Sequence, residues 1–195
     1  MKKLELILSA IAIIAFVMYM LLVSGALLLL LLSLTTLSII YMYLSITLFN
    51  GIKLRGILKK SSYSGISTLR IIVTILTGVA LAFTITGIFF TLFYWPGSKF
   101  NLSIGLIGLL IALIISLIKY LSTKAPVYIS ILKRVVIYSM VGLTLYLLPK
   151  YTILEYRYQN YPDYVEAFKN ANANQNDQEL WDKVDEEQEK INRNK

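Results

Sequence analysis

The apolar run from residue 4 to residue 49 constrains this chain more than any other feature. As one straight α-helix it would extend about 69 Å, at ~1.5 Å per residue. The hydrocarbon core of a bilayer is only about 30 Å thick, so the run must reverse direction within itself. Ser24 and Gly25 form the one suitable corner. The run therefore predicts a hairpin of two membrane-spanning helices.

Three further apolar runs of membrane-spanning length follow this hairpin. Trp95, Pro96 and Gly97 form a second hairpin turn between two of them. Pro149 ends the last run, because proline cannot easily continue a helix. That run is short, so we expect it to begin within the basic segment that precedes it. The predicted helices cover residues 4–23, 26–49, 69–94, 102–121 and 129–148.

The overall composition agrees with a membrane protein. Hydrophobic residues make up 57% of the chain, whereas soluble domains contain about 45–50%. The apolar runs lack the alternation of a membrane β-barrel. The first run far exceeds the ~7–15 apolar residues of a signal peptide, so we expect it to be retained. The sequence predicts an all-α, polytopic bundle of about five transmembrane helices over residues 1–149, with a short helical tail over residues 150–195.

The distribution of charge predicts the orientation. Twelve of the 19 basic residues, but only one of the 11 acidic residues, precede residue 150. The basic residues cluster at the N-terminus and in the segments 50–70 and 119–134, while the hairpin turns are almost uncharged. Because cytoplasmic loops are enriched in Lys and Arg, we expect a bacterial inner-membrane protein with its N-terminus in the cytoplasm. The tail, with seven basic and ten acidic residues, would then be periplasmic.

The chain also repeats itself weakly. A shift of 72 residues places Gly25 on Gly97 and aligns residues 1–50 with residues 70–122. An even number of crossings separates the two copies, so they would have the same orientation in the membrane, as parallel repeats do. The few matches leave both duplication and chance similarity open.

Small residues follow one face of helices 3 and 4 at spacings of three and four. In lipid, such stripes let helix backbones approach and let hydroxyl groups bond across an interface. The stripes predict close helix packing, and the alternative is a polar conduit lined by the hydroxyls. The residues are Thr77, Ala80, Thr84, Gly87 and Thr91 on helix 3, and Gly105, Gly108 and Ala112 on helix 4.

Residue usage argues against catalysis. The chain contains neither Cys nor His, which removes thiol nucleophiles, Cys/His zinc sites and the commonest general base. The middles of the five predicted helices carry no charged residue, although ion-coupled machines usually keep one at membrane depth. We expect Glu5 to be an interfacial charge that reaches the headgroups or a neighbouring cation. No cofactor, metal site or enzymatic activity is expected.

The second hairpin combines three short motifs: Phe90-Thr91, Tyr94-Trp95-Pro96-Gly97-Ser98 and Gly105-Leu106. Together they resemble the transmembrane hairpin of the L subunit of the Bacteroidota gliding-motility and type IX secretion motor. In that family the motifs read Phe-Lys, His-Trp-Pro-Gly-Ala and Gly-Leu, followed three residues later by glutamate. The whole chain also resembles a small multi-pass inner-membrane family of Bacteroidota, and this second resemblance implies no activity.

The departures from the motor pattern are informative. The family's lysine position is Thr91 here, and its intramembrane glutamate falls on Leu109. In the faded first copy the same positions are Tyr19 and Leu37. A motor function that depends on the glutamate is therefore not implied. The resemblance implies only the tight corner, with aromatic residues anchored at the headgroups.

The tail is the candidate interaction module. It predicts two short helices, one starting at Pro162 or Asp163 and one capped by Asp177. These helices could fold on each other, lie on the membrane or dock on a partner. The residues expected to contact a partner are Tyr161, Tyr164, Phe168, Leu180, Trp181 and Val184.

These features favour a non-catalytic accessory or scaffold subunit of an envelope complex, which presents its tail to a partner. The alternative is a transporter or channel for a small solute or ion, formed by oligomerisation. The expected partners are the lipid bilayer and either a protein partner or a second copy of the chain. Nucleic-acid binding is not expected despite the net charge of +8, because the basic residues are placed as in a topology signal.

Overall fold

The computed structural model describes residues 1–193, and within them the chain is helical with no β-strand. Five helices are long and apolar enough to cross a membrane, which indicates a multi-pass membrane protein. They are α1 (Lys2–Met20), α2 (Ala26–Asn50), α3 (Thr68–Leu92), α4 (Ser98–Thr123) and α5 (Pro126–Leu147). Three shorter helices follow, α6 (Thr152–Arg157), α7 (Pro162–Ala173) and α8 (Gln178–Arg193).

The chain divides into two compact units. The first, called the bundle below, comprises Met1–Tyr19 and Val23–Leu147. The second, called the tail unit, comprises Met20–Leu22 and the chain from Leu148 onward.

Two of the long helices start earlier than the sequence predicts. α4 begins at Ser98 instead of residue 102, because Gly97 takes a φ of +82° and lets the helix start directly after the turn. α5 begins at Pro126 instead of residue 129, since proline fits the first turn of a helix. α5 therefore includes Lys133 and Arg134, which the charge pattern assigned to a basic loop.

α3 is the central helix of the bundle. Buried residues make up 61% of its most apolar window, against 22–33% for the other four long helices. The outer helices expose many large apolar side chains, including Leu6, Ile107 and Leu147. Such a surface requires an apolar solvent, and a bilayer provides one for the outer faces of the bundle.

The two hairpin turns share an unusual pair of backbone conformations. Leu22 and Tyr94 adopt positive φ angles of 58° and 56°, in the left-handed region that non-glycine residues rarely visit. Three residues later, Gly25 and Gly97 adopt φ angles of 79° and 82°. Each turn thus combines one strained residue with one glycine that accepts the conformation at little cost.

The hydrogen bonds of the two turns also correspond. The Val23 N–H donates to the Met18 carbonyl at 3.0 Å, and the Trp95 N–H donates to the Phe90 carbonyl at 2.9 Å. Both bonds close the last turn of a helix in the manner of a Schellman motif. Donors and acceptors are 72 residues apart in the chain, which is the spacing of the sequence repeat.

The tail unit contains three helices where the sequence predicts two. α6 was missed because it has only six residues and its tyrosines were assigned to an interfacial belt. α7 and α8 pack on each other. Pro162 starts α7, and the Asp177 carboxylate accepts a hydrogen bond from the Glu179 N–H at 3.1 Å at the start of α8.

Candidate functional site

Glu5 of α1 and Arg134 of α5 form a buried ion pair in the bundle. Arg134 Nε donates to Glu5 Oε1 and Nη2 donates to Oε2, each at 2.5 Å. Glu5 as a whole is 8% exposed. A bidentate guanidinium–carboxylate pair is among the strongest and most directional polar contacts in proteins, so this pair fixes how α1 sits against α5.

α2 completes this arrangement through Tyr41. The Tyr41 hydroxyl donates to Glu5 Oε1 at 2.5 Å, and the residue is fully buried. Its ring meets the ring of Tyr138 edge-on, with centroids 5.6 Å apart. Glu5, Tyr41 and Arg134 are called the polar cluster below. The cluster joins three helices and gives both carboxylate oxygens of Glu5 a donor.

The remaining donors of Arg134 are satisfied within α5. Its Nη1 donates to the carbonyl and to the hydroxyl of Ser130, at 2.8 and 2.7 Å. The guanidinium carbon lies 5.3 Å from the ring centroid of Phe49, within range of a cation–π contact. The arginine is therefore held in one position, and its charge is compensated where water is scarce.

The polar cluster lies inside the membrane-spanning part of α5. Arg134 follows Pro126 by eight residues, which corresponds to about 12 Å along the helix axis. An arginine at such depth is costly unless it is paired. The expectation that the helices carry no charged residue away from their ends is therefore corrected, because α5 starts early enough to enclose Arg134.

Glu5 reaches a cation, which was one of the two expectations for it, but it does so in the protein interior instead of at the headgroups. The available signal was numerical. Glu5 is the only acidic residue before residue 150, and an intramembrane acid implies a nearby cation. The cation could not be identified from sequence, since Glu5 and Arg134 are separated by most of the bundle.

The predicted packing residues lie mostly at the crossing of α3 and α4. A Cβ atom on Gly105 would lie 2.6 Å from the backbone nitrogen of Thr84, and no side chain fits there. The same close approach joins Gly87 to Leu102 and Gly108 to Ala80. Ala112 of α4 is also buried. The two backbones thus touch along this face, which is the geometry that small residues permit in lipid.

The threonine hydroxyls of α3 do not line a passage. Those of Thr77, Thr84 and Thr91 donate to the carbonyls four residues earlier, at 2.7, 2.9 and 2.8 Å. Thr77 and Thr84 are fully buried against neighbouring helices. The space beside Thr84 is occupied by Gly105. A polar conduit along this stripe would require the helices to separate.

A second polar contact joins α2 to α3. Arg70 Nε donates to Asn50 Oδ1 at 2.6 Å, and Asn50 Nδ2 donates to Thr74 Oγ1 at 3.3 Å. These residues lie at the end of α2 and the start of α3, so they fix the two helices beside the loop that connects them.

The predicted turn residues occupy the hairpin corners. Trp95 is 45% exposed and meets three phenylalanine rings of the preceding helix end edge-on, at centroid distances of 5.4 to 5.8 Å. Ser24 and Pro96 are exposed, and neither takes a positive φ. The corner residues have no partner that suggests chemistry, so the second hairpin is a structural turn.

The predicted contact residues of the tail fall into two groups. Tyr164 and Val184 are buried, so their side chains are not on the surface. Tyr161, Phe168, Leu180 and Trp181 are half-buried. The rings of Tyr158, Tyr164, Phe168 and Trp181 form a chain, with successive centroids 4.2, 6.2 and 5.9 Å apart. Most of this aromatic set therefore builds the tail unit.

The outer surface of the tail unit is polar, with one apolar exception. Tyr156 is 68% exposed, and the prediction of contact residues did not include it. Lys169 pairs with Glu155 at 2.6 Å. On α8, a hydrogen bond from Lys190 to Glu187, together with the charge of that carboxylate, raises the pKa of the lysine. Tyr156 is the large apolar side chain that a partner of this unit would meet first.

Within residues 1–193, no group of three or more acidic side chains is arranged to hold a metal ion. The polar cluster has one carboxylate, and its oxygens are already paired with Arg134 and Tyr41. Comparison with known proteins gives no match, whether to a family model, to a curated protein or to a solved structure.

Proposed function

We propose that this protein is a non-catalytic scaffold or accessory subunit of an envelope complex. In this proposal the bundle is an anchor, and the tail unit is the part that a partner recognises. The observation that carries it is the tail unit itself, which has its own aromatic core and presents a polar surface with Tyr156 exposed. A segment that served only as an interfacial belt would not need a core of its own.

The packing of the bundle supports an anchoring role. Glycines bring α3 and α4 into backbone contact, and the polar cluster ties α1, α2 and α5 together. Interactions of these kinds oppose the large helix movements that alternating access requires. The Leu109 position, which the motor family fills with glutamate, is fully buried. We therefore propose a static role and not a motor role.

The proposed location is a bacterial inner membrane. Five crossings with a cytoplasmic N-terminus would place the tail unit in the periplasm. The basic segments between α2 and α3 and between α4 and α5 would face the cytoplasm, as the positive-inside tendency favours. The resemblance to Bacteroidota membrane proteins is part of this proposal and suggests the host in which to test it.

Replacing Tyr156 by serine in the full-length protein is expected to reduce partner recovery about tenfold or more. Exposed tyrosines at the centre of an interface often contribute 2 kcal/mol or more to binding. The measurement is affinity purification from native membranes in mild detergent, with stoichiometry by mass spectrometry. Removal of the chain from Lys150 onward should abolish recovery while membrane insertion persists.

The matched control is Tyr43→Ser. Tyr43 is 74% exposed on α2, so it tests the same chemical change on the bundle. Recovery should be unchanged by this substitution. If the truncated protein still retains a stoichiometric partner, the helices carry the interface and the proposed role of the tail unit is wrong.

A second candidate function, transport of an ion or small solute, is favoured by the polar cluster alone. Charged residues inside a membrane commonly mark transport pathways. In that case purified protein in liposomes should conduct flux that Arg134→Met abolishes. An anchor gives no flux in either form.

A further inference from the structure

We propose that residues 51–67, called the basic loop below, form a surface that binds anionic phospholipid headgroups, with Leu58 inserted among the lipids. The loop connects the end of α2 at Asn50 to the start of α3 at Thr68. Both helices are long enough to cross the membrane. The inference depends only on that placement and not on the proposed function of the tail unit.

The basic loop has a defined fold. It contains two short 3-10 helices, Leu54–Gly56 and Lys60–Tyr63. The Tyr63 hydroxyl donates to the Ile57 carbonyl at 2.6 Å and joins the two. The first also packs closely on the second, since a Cβ on Gly56 would lie 2.6 Å from the Ser62 hydroxyl. The loop therefore presents its side chains in a fixed arrangement.

Four cations project from this fold. Lys53, Arg55, Lys59 and Lys60 are all exposed, and the segment contains no acidic residue. None of the ion pairs formed within residues 1–193 involves them. A surface with four uncompensated positive charges attracts anions, and anionic lipids supply them at the cytoplasmic face of a membrane.

Leu58 identifies lipid as the source of the anions. Its exposed fraction is 98%, and Leu54 nearby is 52% exposed. Leu58 lies between the two pairs of cations in the chain. A site for free phosphate would gain nothing from an exposed leucine. A membrane surface offers acyl chains for Leu58 and headgroup phosphates for the neighbouring cations.

A single labelled cysteine tests this arrangement in the full-length chain, which has no native cysteine. Leu58→Cys carries an environment-sensitive fluorophore, and the protein is reconstituted in phosphatidylcholine vesicles with and without phosphatidylglycerol. We expect blue-shifted emission that depends on phosphatidylglycerol. Brominated phosphatidylglycerol should quench the label more strongly than brominated phosphatidylcholine at equal bromine content. Ser64→Cys, exposed in the same loop, is the matched control and should show neither effect.

The contribution of charge is tested by adding Lys59→Gln and Lys60→Gln to the Leu58→Cys protein. The preference for quenching by the anionic lipid should fall about fivefold for each cation removed. An unchanged preference would show that position in the chain, and not charge, places the label at the membrane. Water-like emission in anionic vesicles overturns the proposal. A blue shift produced by inorganic phosphate without phosphatidylglycerol overturns it as well, because the site would then be one for free anions.

Discussion

Glu5→Ala is expected to lower the free energy of unfolding by about 3–5 kcal/mol, the usual cost of removing one partner from a buried ion pair. The substitution leaves Arg134 inside the bundle with no carboxylate beside it, and Tyr41 loses the acceptor of its hydroxyl. Unfolding of the detergent-solubilised protein by denaturant or heat, followed by circular dichroism, measures the change.

The double variant Glu5→Leu with Arg134→Met separates the cost of an unpaired charge from the value of the pair. Replacing a whole buried pair by apolar residues is often neutral or stabilising, and we expect stability within about 1 kcal/mol of the original protein. Lys133→Met is the matched control, because Lys133 is exposed on the same helix. Its effect should stay within about 0.5 kcal/mol.

The outcome also distinguishes the two candidate functions. If the double variant folds and still recovers the partner, the polar cluster is a structural tie between helices. If it folds but loses an otherwise measurable flux, the cluster takes part in transport. A Glu5→Ala protein as stable as the original would show that the pair in the bundle contributes nothing to stability, contrary to its geometry.

The all-helical membrane fold could be predicted because it depends on local properties of the chain. Apolar runs of membrane length, and a Pro-Gly or Ser-Gly corner between them, determine helices and reversals with no knowledge of distant residues. The small-residue stripes followed in the same way from helical spacing, and Gly105 and Thr84 do meet at a helix crossing.

The candidate site could not be predicted, because it depends on which helices become neighbours. Glu5 and Arg134 meet only after α1 and α5 have packed, and no local pattern pairs them. The assignment of Arg134 to a loop had a separate cause, because the helix boundary was placed where the apolar run begins. Pro126 starts the helix earlier, in a segment with Lys133 and Arg134 that is not apolar throughout.

The tail shows the same distinction in a second form. Its aromatic residues were visible in the sequence, and their abundance near an apolar helix favoured an interfacial belt or a contact surface. The structure instead uses Tyr164 as an interior residue of the tail unit. Whether an aromatic side chain faces inward depends on the packing of α7 on α8, which a helix-by-helix analysis does not include.

Gly105→Ala should be the second strongly destabilising change, with an expected loss of about 1–3 kcal/mol or more in the free energy of unfolding. The added Cβ would lie 2.6 Å from the backbone nitrogen and 2.8 Å from the Cα of Thr84. Backbone atoms cannot move aside as the end of a flexible side chain can. The α3 and α4 helices would have to separate, and their other close contacts would loosen with them.

Two substitutions on α4 calibrate this result. Gly108→Ala meets the Cβ of Ala80 at 2.7 Å, but the backbone of Ala80 lies 3.6 Å away, so we expect a smaller loss than at Gly105. Ser103→Ala removes a hydroxyl that bonds only within its own helix turn, and it should change stability by less than about 0.5 kcal/mol. The order Gly105, Gly108, Ser103 follows from how rigid the obstructing atoms are. A protein that tolerates Gly105→Ala as well as Ser103→Ala would show that α3 and α4 do not touch through their backbones.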